Sequence, residues 1–406
     1  MITKPHSTLP SKLFTALPNP LGEITLPSSL DGSTGNNRAA ITQTQIAART
    51  DPEAIQAWLA RYADTPTTFQ NYRKEAERLL LWALVELGKP LSSLTQEDLL
   101  RYQYFLANPY PSERWIMPAN RRAGRQDPLW RPFSGPLSPA SQRQAMIILN
   151  TLFSWLVTAG YLAGNPLALL RRRTRPVQAQ ITRYLTDDLW ITVKTAIESL
   201  PQEMPRDQAH YHRVRWLFSL LYLCGLRISE VTGNTMGSFS HRINSGGQEC
   251  WWLEITGKGN KTRLVPVTDE LLTELTRYRQ SRDLPPLPQP GEATPLLLPI
   301  GHGCRPRPLT RAAVHLIVKT VFIRAAEWLR ATHPEQVEQV RRLEQASAHW
   351  LRHTAGSRMA DGNLDLRHIR DNLGHATLST TSRYLHTEDD VRHRETGWRH
   401  RLDWEE

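Results

Sequence analysis

Cysteine is scarce in this chain: 406 residues hold three, Cys224, Cys250 and Cys304, at unrelated spacings. That excludes a disulfide framework and a cysteine metal knuckle, and it fits a reducing compartment. No apolar run reaches the roughly 18 residues a membrane helix needs. The first residues lack the hydrophobic core of a secretory leader, so a soluble, cytoplasmic chain is expected. No internal repeat is evident, and the phosphate-cradling order G-x-x-x-x-G-K-S/T is missing. Lysine is absent from one long stretch. Residues 101–176 hold eleven arginines, no lysine and two acids, Glu113 and Asp127, which gives +9 of a formal net charge of +11. Such a concentration favours a polyanionic partner, although a solvated basic face is the plainer account of any charge run.

What is present divides into two halves, as the length suggests. Residues 1–50 are rich in Pro, Ser, Thr, Gly and Asn, with P-S-S-L-D-G-S-T-G-N-N at 27–37. They offer little apolar surface against the entropy of ordering, so a disordered tail is expected. From residue 51 the pattern turns helical. Tyr72, Ala76, Leu79, Leu80, Ala83, Leu84 and Leu87 form one stripe, ended by Gly88 and Pro90. Thr95 with Asp98 reads as a capping box for a helix over 95–106. Seven prolines among arginines make 108–140 a long loop, functional or flexible. Ser141 with Gln144 is expected to cap a well-buried helix over 145–157.

The basic run 171–176 and a linker over 176–184 separate a helical domain, 51–175, from a second domain, 185–406. There a core helix over 214–223, with Cys224 in its apolar run, ends at Gly225. Strands at 251–256 and 262–267 flank G-K-G-N-K as a hairpin. A Pro-rich loop covers 284–308. Helices are expected at about 310–331, 335–347, 349–361 and 365–373, then a charged tail, 385–406. The fold class is mainly α with a small antiparallel β-sheet.

The chemistry-bearing residues cluster late. H-W-L-R-H places His349, Arg352 and His353 on one helix face at i, i+3 and i+4. His375 follows Gly374 at a helix end, and Tyr384 lies nine residues further on. Upstream, L-R-I-S-E contains Arg227 and G-K-G-N-K contains Lys258. A phosphodiester in its pentavalent transition state carries growing negative charge on its non-bridging oxygens. Planar arginine forks bind that charge bidentately and keep their proton, so Arg227 and Arg352 are candidates for a clamp. A tyrosine phenol attacks well only when cations favour its phenolate, which arginines around a phosphate would do for Tyr384. Lys258, at a hairpin tip, suits proton donation to a departing alkoxide. Each residue also has a plain account: an Arg227–Glu230 surface bridge, solvated polar groups on a helix, a tyrosine at a helix surface. The paired histidines invite zinc, but the H-E-x-x-H glutamate is missing and Arg352 would repel a cation, so no metal is expected.

Together, L-R-I-S-E, G-K-G-N-K-T-R-L-V-P-V, H-W-L-R-H-T and L-G-H-A-T-L-S-T-T-S-R-Y resemble the tyrosine recombinase (phage integrase) family. The likeness is strong over 185–390 and weak over 51–175, which resembles that family's core-binding domain. It implies a two-domain DNA clamp acting as a homotetramer on a duplex recombination site. Tyr384 would form a 3′-phosphotyrosyl link, Arg227 and Arg352 would hold the phosphate, and Lys258 would protonate the leaving oxygen. His349 would accept or orient the tyrosine proton, and His375 would bond the phosphate. No cofactor is implied. An accessory directionality factor and a bacterial or phage-encoded, nucleoid-associated enzyme of integration, excision or resolution are expectations of the same kind. Arg121, Arg122, Arg125, Arg131, Arg171, Arg172, Arg173, Lys261 and Arg263 are candidate DNA contacts. The alternatives are a type IB topoisomerase, a non-catalytic DNA-binding protein and a zinc hydrolase.

Overall fold

The structure, a computed structural model, describes residues 21, 26–40, 42, 44–118, 123–125, 127–170, 183–243, 245–301, 307–375 and 377–381. The chain divides into two units, Met1–Pro176 and Val177–Glu406.

In the first unit, helices α1 (Asp51–Ala60), α2 (Pro66–Trp82), α3 (Gln96–Ala107) and α4 (Pro139–Thr158) enclose a core that includes Ile55, Trp58, Leu79, Leu80, Leu99, Leu149 and Phe153. The stripe on α2 faces this core, and Gly88 ends the segment in the left-handed region at φ 59°. The Thr95 capping box forms with aspartate. Thr95 Oγ1 accepts the Asp98 N–H at 3.4 Å, and the Asp98 carboxylate accepts the Thr95 N–H at 3.1 Å. The cap of α4 corrects the expectation: Ser138, not Ser141, accepts from the first turn, at 3.3 Å. Pro139 at the first helical position has the fixed φ that allows this earlier start.

Two segments of this unit are more ordered where they are described than their composition suggests. The segment over 108–140 is anchored where it is described. Trp115 and Phe133 are fully buried against Phe105, and the Phe133 N–H donates to the Trp115 carbonyl at 3.1 Å. Part of the supposed tail also packs. Leu26 and Leu30 join the core, and the Arg38 guanidinium lies 3.7 Å over the Tyr161 ring. Backbone bonds from Asn37 to Ser92 and from Asp51 to Asp31 fix this strap. Composition missed it because its order rests on backbone pairing more than on apolar area. Asp51 sits beneath it, fully buried, accepting from Ser92 and from the Tyr161 hydroxyl; burial raises its carboxyl to about 6 despite these bonds. Residues 1–20 and 22–25 lie outside the described residues.

The second unit contains α5 (Asp187–Glu198), α6 (Pro205–Leu223), α7 (Ile228–Gly233), strands β1 (Phe239–Ile243), β2 (Glu249–Thr256) and β3 (Thr262–Val267), then α8 (Asp269–Gln280), α9 (Arg311–Thr332), α10 (Val337–Gln345), α11 (Ala348–Asp361) and α12 (Leu366–Leu373). The sheet is antiparallel in the order β1-β2-β3, with Leu253 opposite both Phe239 and Val265. The hairpin is where the spacing puts it, and β1 adds an edge strand whose outer half, His241 to Ile243, is exposed. Alternation of buried Leu253, Ile255, Val265 and Val267 with the less buried Trp252, Glu254, Leu264 and Pro266 turns one face of the sheet to the core. Central α6 buries Trp216, Leu217, Leu220 and Leu221, and Trp216 Nε1–H donates to the Leu296 carbonyl at 2.7 Å. Among the described residues no helix is long and apolar enough to cross a membrane.

Candidate active site

Helix α11 carries His349, Arg352 and His353. It is buried on most sides: Trp350, Leu351, Thr354, Ala355 and Ser357 lie inside, while His349 and His353 are less buried. The His349 and His353 rings are nearly parallel, 5.9 Å apart and 22° from coplanar. Arg352 is 3% exposed. Its guanidinium donates to the carbonyls of Gly225 and Leu373, tying the chain beyond α6 to the end of α12. Carbonyls at helix ends lack intrahelical partners, and a buried guanidinium satisfies them while gaining fixed direction.

Gly225 permits this junction. Its φ is +58°, and a Cβ there would come within 2.4 Å of the Leu373 Cδ2 atom. Arg227 follows at the N-cap of α7. Its N–H donates to Glu230 Oε2 at 2.9 Å and its Nη1 to Glu230 Oε1 at 2.8 Å. The bridge anticipated as the plain account therefore exists, but Glu230 is 1% exposed and interior. A second arginine shares it. From β3, Arg263 donates Nη1 to Oε1 at 2.8 Å and Nη2 to Oε2 at 2.9 Å. Burial alone would raise the Glu230 carboxyl. The Arg263 bonds and charge, followed by the Arg227 N–H and charge, bring it down to about 2.

The β2–β3 turn abuts the same carboxylate, since a Cβ on Gly257 would stand 2.9 Å from Glu230 Oε1. Asn234 secures the turn's root: its amide donates to the Glu230 and Thr256 carbonyls and accepts the Thr256 N–H. Lys258 occupies this turn; its side chain lies outside the described residues. After α12, Gly374 turns at φ 62° and delivers His375, whose Nδ1 is 3.0 Å from Thr381 Oγ1. Burial first, then the charges of Arg352 and Arg227, lower the His375 ring to about 4. The same causes in the same order lower His349, which keeps an exposed outer edge. Both arginines thus act on both rings, so four predicted residues from three chain segments lie near one another. Tyr384 lies outside the described residues.

The candidate DNA contacts fare differently. Arg125 is engaged within the protein: it donates to Glu77 at 2.8 and 2.9 Å and stacks 3.8 Å over Trp130. Arg131 donates to the carbonyls of Glu113, Pro128 and Trp130. Arg263 serves Glu230, as above. These three guanidiniums therefore have acceptors within the protein. Lys261 is exposed. Arg121, Arg122, Arg171, Arg172 and Arg173 lie outside the described residues. The sequence reading missed Glu230 and Asn234 as parts of the site. The signal available for Glu230 was an acid three residues after Arg227 in an otherwise apolar stretch.

Residues 192–390 match the model of the phage integrase family. The chain is 30% identical over 248 residues to tyrosine recombinase XerC of Pelobacter propionicus, covering 61% of this chain and 68% of that one. It is 29% identical over 351 residues to XerC of Agrobacterium fabrum, covering 84% and 92%. Among solved structures it is similar in fold to XerH recombinase bound to difH substrate (TM-score 0.53, 16% identity, 86% and 84% covered). The Tn1549 transposon integrase with transposon right end DNA is another (TM-score 0.51, 18% identity, 85% and 99% covered). The chain belongs to the tyrosine recombinase (phage integrase) family and is a site-specific recombinase that cleaves and rejoins DNA with a tyrosine nucleophile.

Proposed function

We propose that the pocket around Arg227, Arg352, His349 and His375 performs the strand transfer, with Tyr384 as nucleophile, on a duplex recombination site held by a homotetramer. The observation that carries this reading is the meeting of two arginines and two neutral imidazoles at one place. The Tyr384 oxygen attacks phosphorus, and the bond from phosphorus to the 5′ oxygen breaks. His349, held neutral at pH 7, takes the phenolic proton. Lys258 gives a proton to the departing 5′ oxygen. Arg227 and Arg352 neutralise charge that builds on the non-bridging oxygens, and His375 donates a hydrogen bond to one of them. The His375 Nδ1 atom lies 3.0 Å from Thr381 Oγ1, a contact that orients the ring. The resulting 3′-phosphotyrosyl ester keeps the bond energy, and attack by another strand's 5′-hydroxyl reverses each step.

The substrate is a bacterial or phage recombination site, used in integration, excision or resolution, in the cytoplasm where such DNA lies. The curated bacterial XerC relatives and the DNA-bound neighbours of similar fold support this. The test is to incubate the full chain with fragmented host DNA, denature, recover protein-linked fragments and sequence them. A single recurring junction attached through Tyr384 is expected, and Tyr384→Phe should yield no adduct. An adduct that persists in Tyr384→Phe, or none in the wild type, overturns the proposal.

A further inference from the structure

We propose that Arg263 is a positioning residue for strand transfer, acting through Glu230 on Arg227 and through the Asn372 carbonyl on the turn that presents His375. The inference rests on reading Arg227 and His375 as phosphate-binding residues. It reverses the expectation that Arg263 touches the DNA backbone.

The geometry is specific. Each Glu230 oxygen accepts one bond from each arginine segment: Oε1 from Arg227 Nη1 and Arg263 Nη1, both at 2.8 Å, and Oε2 from the Arg227 N–H and Arg263 Nη2, both at 2.9 Å. Arg263 Nε donates to Asn372 O at 2.9 Å. Three of its N–H donors therefore face inward, and its side chain is 12% exposed. Those donors are engaged by a carboxylate and a carbonyl of the protein itself.

The charges explain why a second arginine is useful. A buried glutamate paired with Arg227 alone would neutralise the group meant for the phosphate. Arg263 restores a net positive charge to the trio while the carboxylate still fixes the direction of Arg227. The third bond extends this order to the other side of the pocket. Asn372 O lies at the end of α12, where helical carbonyls lack partners. The following Gly374 fits directly on the Arg263 stem, since a Cβ there would stand 2.9 Å from Arg263 Cδ. One side chain thus sets the N-cap of α7 and the turn before His375. Lysine cannot reproduce this, because a point-like ammonium does not span two carboxylate oxygens and a carbonyl in one plane.

The test uses the full chain and the DNA site recovered from the Tyr384 adduct. Single-turnover cleavage by Arg263→Lys should fall on the order of 100-fold, the effect of misplacing a reacting group by about 1 Å. DNA affinity and its salt slope should stay at wild-type values. Arg227→Lys combined with Arg263→Lys should cleave within a few-fold of Arg227→Lys alone, because both act on one group. Arg263→Met, which keeps the aliphatic stem, is run alongside at a temperature where circular dichroism shows both variants folded. Weaker binding with a salt slope flatter by about 0.9 would make Arg263 a phosphate contact and overturn the proposal. Multiplicative losses in the double variant would overturn it too. A wild type that cleaves beside an unimpaired Arg263→Lys overturns the role of Arg263 alone, whereas a wild type that forms no adduct overturns both readings.

Discussion

Replacing Glu230 with glutamine should lower the stability of the second unit by about 3 kcal/mol at pH 7. The carboxyl is interior and titrates at about 2 instead of the ordinary 4.5, and each unit of displacement corresponds to about 1.4 kcal/mol. Breaking a buried pair from one side independently costs about 3–5 kcal/mol, because the remaining charge is left without its partner. The sign follows from the depressed value. The native state favours the ionised form, so the contribution is complete above pH 4.5 and is lost as pH falls towards 2. Calorimetry on the full chain checks this by following the transition of the second unit. For a unit of about 200 residues, 1 kcal/mol moves the midpoint by about 2–4 °C, so Glu230→Gln should melt about 6–12 °C below wild type at pH 7. The gap should close steadily between pH 4.5 and pH 2. A shift under 2 °C at pH 7, or a gap equally wide at pH 7 and pH 2.5, would refute the claim that this carboxylate is held ionised by two arginines.

Two other outcomes follow from the site and the loop. Burial and the neighbouring arginines lower both His349 and His375, the latter to about 4, so His375 stays neutral well below pH 6.5 and His349 protonates only below its ordinary value. Any acid limb of the single-turnover cleavage rate should therefore be centred below 6.5; a limb centred at 6.5 or above would show that the rings are not held neutral by burial and the arginines as read here. In the first unit, Arg125→Ala and Arg131→Ala should loosen the 108–140 segment, seen as faster amide exchange at 112–117 and 127–133, with the salt slope of DNA binding unchanged. A flattened slope in either variant would return that arginine to the phosphate contacts.

The helices that carry the site could be read from the chain because their signals are local. Periodicity marks α11 and α12, Gly88 and Gly225 mark ends, and the Thr95–Asp98 box lies within four residues. The order of Arg227, Lys258, His349, Arg352, His375 and Tyr384 likewise lies in the sequence and was enough for the family resemblance. The bonds that orient these residues are not local. Arg263 reaches a carboxylate 33 positions before it and a carbonyl 109 positions after it, and Arg352 reaches back 127 positions to Gly225. Nothing in a short window distinguishes such an arginine from one that faces DNA. Arg125 and Arg131 illustrate this: a run of positive charge is visible in sequence, but the acceptors that occupy two of its members are visible only in space.

The sequence by itself determined the chemical inventory, the helical class and the family, since residue types, periodicities and motif order are properties of the linear chain. The tertiary structure decided which acceptors Arg125, Arg131, Arg263 and Arg352 meet within the protein. It also decided that a stretch poor in apolar residues packs as a strap, and that Glu230 lies under the site rather than on a surface. The physical reason is common to all three. A charged or backbone polar group is stabilised by the partner it meets after folding, and that partner is chosen by packing between distant segments.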